Sequence, residues 1–174
     1  MFAIVAGGAE IQAECTAYVK QHGKLLPGQV YVSSPGSLPC KKVIHAVVPM
    51  WYDGQRNEDI NLYVAVYDSL ATADKLGYTS ITLPALSCGT YSFPEDRGIR
   101  EIFSAVKDFL EDNKDTSVRK VTLIDLRESV VEEFHRNLGV LFGFCIVERL
   151  DEDKNRHQST GKSRCLLRQS WRLC

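Results

Sequence analysis

Thr79-Ser-Ile-Thr-Leu-Pro-Ala-Leu-Ser-Cys-Gly-Thr-Tyr-Ser-Phe-Pro94 runs straight into Glu95-Asp-Arg-Gly-Ile-Arg-Glu-Ile-Phe-Ser-Ala-Val-Lys107, and this stretch decides how the chain is read. Ser80-Ile-Thr-Leu83 is β-branched and apolar, which predicts a buried strand. Ile99, Ile102, Phe103, Val106, Phe109 and Leu110 recur at helical spacing, so a helix with one core face follows. Pro94 suits the first helical position, where its missing N–H costs nothing. Between strand and helix lies Ser87-Cys-Gly-Thr90, at the carboxyl end of a strand, where ligands of α/β folds sit. Gly89 allows backbone N–H groups to approach a phosphate, and consecutive amides there can form an anion-binding nest. A bland alternative stands beside this: Glu95 and Asp96 already complement the helix dipole, and no Lys follows the loop as in a Walker-type site.

Outward from that stretch, strands and helices alternate. Ile11, Cys15, Tyr18, Val19 and His22 suit a helix that ends at Gly23. Gln29-Val-Tyr-Val-Ser33 and Val43-Ile-His-Ala-Val-Val48 read as strands joined through Pro35-Gly36 and Pro39. Asn57 is placed to cap a long helix whose core face carries Ile60, Tyr63, Val64, Tyr67, Leu70 and Ala71, closed by Gly77. Arg119-Lys-Val-Thr-Leu-Ile-Asp125 is a second buried strand. Val130, Val131, Phe134, Leu138 and Leu141 form the core face of a last helix. This order predicts an α/β sandwich with parallel pairing and right-handed crossovers.

The 174 residues suit one domain, with a net charge of -1 that argues against a dedicated nucleic-acid binder. No run approaches the roughly 18 apolar residues of a membrane span. Cys15, Cys40, Cys88, Cys145, Cys165 and Cys174 contain no CxxC pair, which excludes the common zinc knuckles, so no metal site is expected. Without a secretory pattern, reduced thiols in the cytoplasm or nucleus are the expectation. From Lys154 to Cys174 there are six Lys and Arg residues and no acidic one. Residues 151–174 therefore read as a basic, disordered tail, with a basic arm binding nucleic acid or anionic lipid as the alternative.

Four ordered motifs resemble one family: Gly7-Gly-Ala-Glu-Ile-Gln-Ala-Glu-Cys15, Lys24-Leu-Leu-Pro-Gly28, Val43-Ile-His-Ala-Val-Val-Pro-Met-Trp51 and Leu83-Pro-Ala-Leu-Ser-Cys-Gly-Thr-Tyr-Ser-Phe-Pro94. Together they look like a macrodomain over residues 1–150, similar to the tandem macrodomains of the poly(ADP-ribose) polymerase family. The resemblance implies a three-layer α/β/α sandwich around a mixed, mostly parallel sheet, and a cleft for ADP-ribose or ADP-ribosylated proteins, with no cofactor. Carried over to this chain, Ser87, Cys88, Gly89, Thr90, Tyr91 and Phe93 match the loop that wraps the diphosphate. Asp125 and Leu126 match positions beside the adenine.

The departures from the family pattern set the expected activity. The family's first strands, its Val-Asn-Ala-Ala-Asn type segment and its Gly-rich first loop have no match here. The chain thus reads as a macrodomain lacking its first strands, and as a weak ADP-ribose reader rather than a hydrolase. A de-ADP-ribosylating hydrolase and a fragment of a multidomain ADP-ribosyltransferase are the alternatives. Val48 stands where the family has a Gly before the Pro, which predicts crowding. From a different class, Ala85-x-Ser87-x-Gly89 loosely echoes a nucleophile elbow, with Ser87, Asp125 and His135 in the chain order of an α/β serine hydrolase. Against it, Pro94 starts the helix too late for an elbow. Cys88 as a nucleophile lacks an obvious base, since His45 sits mid-strand as a packed histidine.

Overall fold

The computed structural model of the chain describes residues 7–142 and 164–168. Helix α1 spans Ala9–His22, and strands β1 (Val30–Ser33) and β2 (Val43–Ala46) follow it. Helix α2 (Glu58–Lys75), strand β3 (Ser80–Pro84), helix α3 (Glu95–Asp112), strand β4 (Lys120–Ile124) and helix α4 (Glu128–Phe142) then alternate, and strand β5 is Arg164–Arg168. The α/β class follows from this order, as the sequence predicts.

The strands fall into two sheets. β1 and β2 pair antiparallel, with Val30 opposite Ala46. β3 and β4 pair in parallel, Ser80 opposite Lys120, through the crossover helix α3. β5 runs antiparallel to β4 on its other side, Lys120 opposite Arg168. Among the described residues no ladder joins β2 to β3, so each presents one edge without a strand partner.

β5 departs from the disordered tail expected over residues 151–174. β4 sits between two strands, and without β5 a row of its N–H and C=O groups would lack partners. A short apolar run between two arginines, Arg164-Cys-Leu-Leu-Arg168, supplies the pairing. The remainder of the expected tail, residues 151–163 and 169–174, lies outside the described residues. A chain ending at Asp153 is accordingly expected to unfold at lower urea concentration than the full chain, which a denaturation curve followed by circular dichroism measures.

One core cluster joins α2, β3, α3, β4 and α4. Ile99, Ile102, Phe103, Val106 and Phe109 of α3 are at most 1% exposed, as the periodicity predicts. Val130, Val131, Phe134 and Leu138 of α4 are buried with them, while the side chain of Leu141 lies outside the described residues. Each such side chain adds about 1.5–3 kcal/mol when fully buried.

Three expectations need correcting. The buried face of α2 is Leu62, Ala65, Val66, Ser69, Leu70 and Ala73, whereas Ile60 is exposed. Tyr63 and Tyr67 instead lie where α2 meets α3, their hydroxyls donating to Asp108 and Asp112 at 2.9 and 3.0 Å. Large aromatics with polar tips drew the predicted stripe toward this flank, while the true core face uses smaller residues. Second, Asn57 precedes α2 with left-handed φ of 59° and makes no side-chain cap. Pro94 likewise precedes α3 with an extended ψ of 125°, so the helix begins at Glu95. Third, β3 is not buried on both faces: Leu83 is buried, but Ser80, Thr82 and Pro84 are exposed. Its strand residues alternate because only one face meets the helices.

Candidate functional site

The loop after β3 folds on itself through backbone bonds. Leu86 N–H donates to Pro84 O at 2.8 Å and Cys88 N–H to Ala85 O at 3.2 Å, which turns the chain sharply off the strand. Ser92 N–H donates to Gly89 O at 2.9 Å, and Phe93 N–H closes the loop onto Ser87 O at 3.2 Å. Ser87 and Ser92 both hold positive φ, 64° and 54°. Left-handed backbone costs about 1 kcal/mol for an ordinary residue, so tertiary contacts hold these two in place.

Those contacts come from the segment after β2. The buried Ser87 hydroxyl donates to Pro49 O at 2.8 Å, and Trp51 N–H donates to Tyr91 O at 2.9 Å. Phe93, 2% exposed, meets Trp51 edge-on at 4.8 Å between ring centroids. Beneath the loop, Gly98 of α3 leaves room that a Cβ would remove, since that atom would lie 2.6 Å from Cys88 Sγ. Val48, which the sequence flags as crowding, is half-buried against the core cluster.

The segment that feeds Trp51 is pinned by one carboxylate. Glu58, 2% exposed, accepts N–H groups of Tyr52, Asp53 and Gly54 on Oε1 at 3.1–3.3 Å, and that of Arg56 on Oε2 at 2.6 Å. Arg56 in turn stacks over the exposed Tyr52 ring at 3.6 Å.

What the loop leaves open is a set of donors. The N–H groups of Gly89, Thr90 and Tyr91 donate to no acceptor among the described residues. Gly89, Thr90 and Tyr91 are exposed, and a Cβ built on Gly89 meets nothing within 4 Å. Three successive amides on exposed residues, none with an acceptor among the described residues, can receive an anion. Cys88 contributes backbone only. Its side chain is 3% exposed, and burial pushes the thiol pKa up to about 12. Phe93 likewise supports the loop from beneath, while Tyr91 is the aromatic that stays accessible.

Asp125 and Leu126, expected beside a purine, follow β4. Leu126 is 66% exposed. Asp125 is engaged by Arg127, whose Nε and Nη2 donate to its two carboxylate oxygens at 3.0 and 3.2 Å. The same guanidinium pairs with Glu95 at the start of α3 and donates from Nη1 to Cys88 O at 2.9 Å. Arg127 thus ties the two halves of the predicted site together. Sequence reading missed it, although Asp125-x-Arg127 immediately after a strand is the signal that pointed to it.

The hydrolase constellation is not assembled. Ser87 spends its hydroxyl on Pro49 O, Asp125 is occupied by Arg127, and His135 lies on α4 with a buried Nε2 that makes no hydrogen bond among the described residues. No hydrogen bond joins any two of the three. The three share a chain order, but no contact that would make a triad joins them: Ser87 and Asp125 are committed to other partners. His45 is bonded through Nε2 to the buried Ser33 hydroxyl at 2.8 Å, remote in sequence from Cys88, and burial lowers its pKa. Among the described residues no group of three or more His, Cys, Asp or Glu side chains can hold a metal ion, and no helix is long and apolar enough to cross a membrane.

Comparison with known proteins gives this loop-bearing α/β fold its class. The Macro domain family matches residues 4–102, more than half of the chain. The chain belongs to the Macro domain family. It is 40% identical over 140 residues to the human protein mono-ADP-ribosyltransferase PARP14, covering 79% of this chain and 8% of that protein. It is 38% identical over 105 residues to an O-acetyl-ADP-ribose deacetylase of Escherichia fergusonii, covering 60% of this chain and 59% of the enzyme. An uncharacterized protein of Thermotoga maritima is 36% identical over 135 residues, covering 78% of this chain and 22% of that one. The chain therefore spans less than two thirds of each of these relatives. Among solved structures, the Oceanobacillus iheyensis macrodomain with MES bound superposes with a TM-score of 0.74 at 22% identity, over 80% of this chain and 74% of that one. That likeness shows the macrodomain fold, a three-layer α/β/α sandwich, as the sequence motifs imply.

Proposed function

We propose that this chain is a reader of ADP-ribose, free or attached to protein, that takes the diphosphate on the Ser87–Phe93 loop. The observation carrying this reading is the run of three amides at Gly89, Thr90 and Tyr91 with no acceptor among the described residues, beside open space at Gly89. Backbone N–H groups with no protein acceptor suit a diphosphate, and the exposed Tyr91 ring and Leu126 offer apolar surface to a sugar or purine. Solved macrodomains of Oceanobacillus iheyensis with ADP and of Trypanosoma brucei with ADP-ribose support the choice of ligand.

Calorimetric titration with ADP-ribose tests the reading, with circular dichroism on the same sample to establish folding. Saturable heat from a folded chain is expected, and a folded chain that gives none sinks it. Because Gly89 faces open space and has no positive φ, Gly89→Glu should leave the fold intact. The new carboxylate should repel the diphosphate and lower affinity by about tenfold or more. Unchanged affinity in that variant removes the loop from the site.

The deacetylase relative favours a second reading, removal of the acyl group from O-acetyl-ADP-ribose. Neither Ser87 nor Cys88 offers a nucleophile, the first being committed to Pro49 O and the second a buried thiol of raised pKa. Release of acetate from O-acetyl-ADP-ribose, followed by nuclear magnetic resonance, separates an enzyme from a reader.

A further inference from the structure

We infer that Arg127 is the positioning residue of the diphosphate loop: by holding the Cys88 carbonyl, it turns the Gly89 N–H outward to meet an anion. This deepens the ADP-ribose reading and rests on it.

The argument begins with peptide geometry. The Cys88–Gly89 peptide is trans, so its C=O and N–H point to opposite sides of one rigid plane. Arg127 Nη1 donates to Cys88 O at 2.9 Å, which fixes one side of that plane and directs the Gly89 N–H away from the guanidinium. Gly89 is the residue least able to hold such an orientation by itself, because it carries no side chain to restrict its backbone. Ser92 N–H fixes the Gly89 carbonyl at 2.9 Å, so the peptide on that side is held as well. The Cys88 carbonyl is the remaining handle, and Arg127 takes it.

Arg127 itself is held firmly. Asp125 grips it as a two-toothed fork at 3.0 and 3.2 Å and also accepts the Arg127 backbone N–H at 2.9 Å. Glu95 pairs with the same Nη1 that reaches Cys88 O. The fork matters because a guanidinium offers several donors in one plane, whereas an ammonium is a point charge. Two carboxylates against one guanidinium leave the cluster without positive charge to spare. Arg127 therefore serves a diphosphate through geometry, and the attraction comes from the loop amides.

Arg127→Lys keeps the charge and removes the fork, so it separates these roles. Two readouts apply: the backbone ¹H–¹⁵N cross-peaks of Gly89 and Thr90 in the free chain, and the calorimetric affinity for ADP-ribose. The expected result is a far-ultraviolet spectrum like the parent's, displaced Gly89 and Thr90 cross-peaks, and affinity weakened about tenfold, the usual scale for losing a charged hydrogen bond. An unmoved Gly89 cross-peak overturns the inference. So does a moved cross-peak with affinity kept within about threefold of the parent. Should Arg127→Lys fail to fold, Glu95→Gln loosens the same guanidinium from the other side and is read in the same two ways. If the parent itself binds no ADP-ribose, the reader assignment falls, and the Gly89 cross-peak of the free chain alone decides whether Arg127 positions the loop.

Discussion

Gly98→Val is expected to destabilise the chain and empty the site at once. A Cβ at this position would lie 2.6 Å from Cys88 Sγ, 3.1 Å from Phe93 Cδ1 and 3.6 Å from Leu62 Cδ2. Cys88 and Phe93 are 3% and 2% exposed and belong to the loop that carries the open amides, so neither can yield without moving it. Overpacking of a filled core costs about 1–3 kcal/mol, and a domain of this size loses ~2–4 °C of melting temperature for each kcal/mol. The branched valine adds two further methyl groups to the collision, placing the variant at the upper end of that range. Differential scanning calorimetry measures the shift, and ADP-ribose titration below the melting range should show binding lost with it. A complementary pair sharpens the test. Gly98→Ala alone should melt lower than Gly98→Ala combined with Cys88→Ala, because the second change removes the sulfur that the new methyl meets. Equal melting of the two would mean that the contact beneath the loop is not what limits this position.

Acid should attack the molecule through Glu58. Burial by itself raises the pKa of this carboxyl, yet hydrogen bonds from its own N–H and from those of Arg56, Asp53 and Gly54 outweigh burial and bring it down to about 2. An unfolded glutamate titrates at about 4.3. A depressed folded pKa contributes stability that is fully present above the unfolded value and is lost as pH falls toward the folded one. The urea midpoint should therefore drop as pH falls from about 4.3 to about 2. Glu58→Gln should be less stable near neutrality, because an amide presents an NH₂ where two acceptor oxygens meet four N–H groups. It should also flatten the acid limb. Some acid dependence persists in the variant, since hydrogen bonds from Ser34 and Ser117 hold Glu14 and Asp74 below their ordinary values as well. An acid limb equally steep in both proteins would show that Glu58 is not the group titrating. The consequence reaches the site because the segment that Glu58 pins carries Trp51, whose N–H holds Tyr91 and whose ring backs Phe93.

Much of this was legible in residue order. The apolar periodicity of α3 and α4 named their core faces, because a helix records its burial every three or four residues within itself. The Pro-Ala-Leu-Ser-Cys-Gly-Thr run marked the loop, since small residues between a strand and a helix have few structural alternatives. The α2 face was misjudged where tyrosines with polar tips outweighed Leu62, Ala65 and Val66. The last strand was also missed, because five residues of modest apolarity acquire a reason to be a strand only when an unpaired edge lies beside them.

The sequence by itself determined the element order through α4, the α/β class and the position of a small-residue loop after β3. These depend on propensity, spacing and turn chemistry, all written within a few neighbouring residues. Only the tertiary structure decided where each peptide of that loop points, which side chains beneath it are buried and which carbonyl Arg127 holds. Cys88 and Arg127 are 39 residues apart in the chain, and Ser87 and Pro49 are 38 apart. Contacts across such separations exist only after β3 and β4 pair and the segment after β2 is brought against the loop, so no local pattern records them.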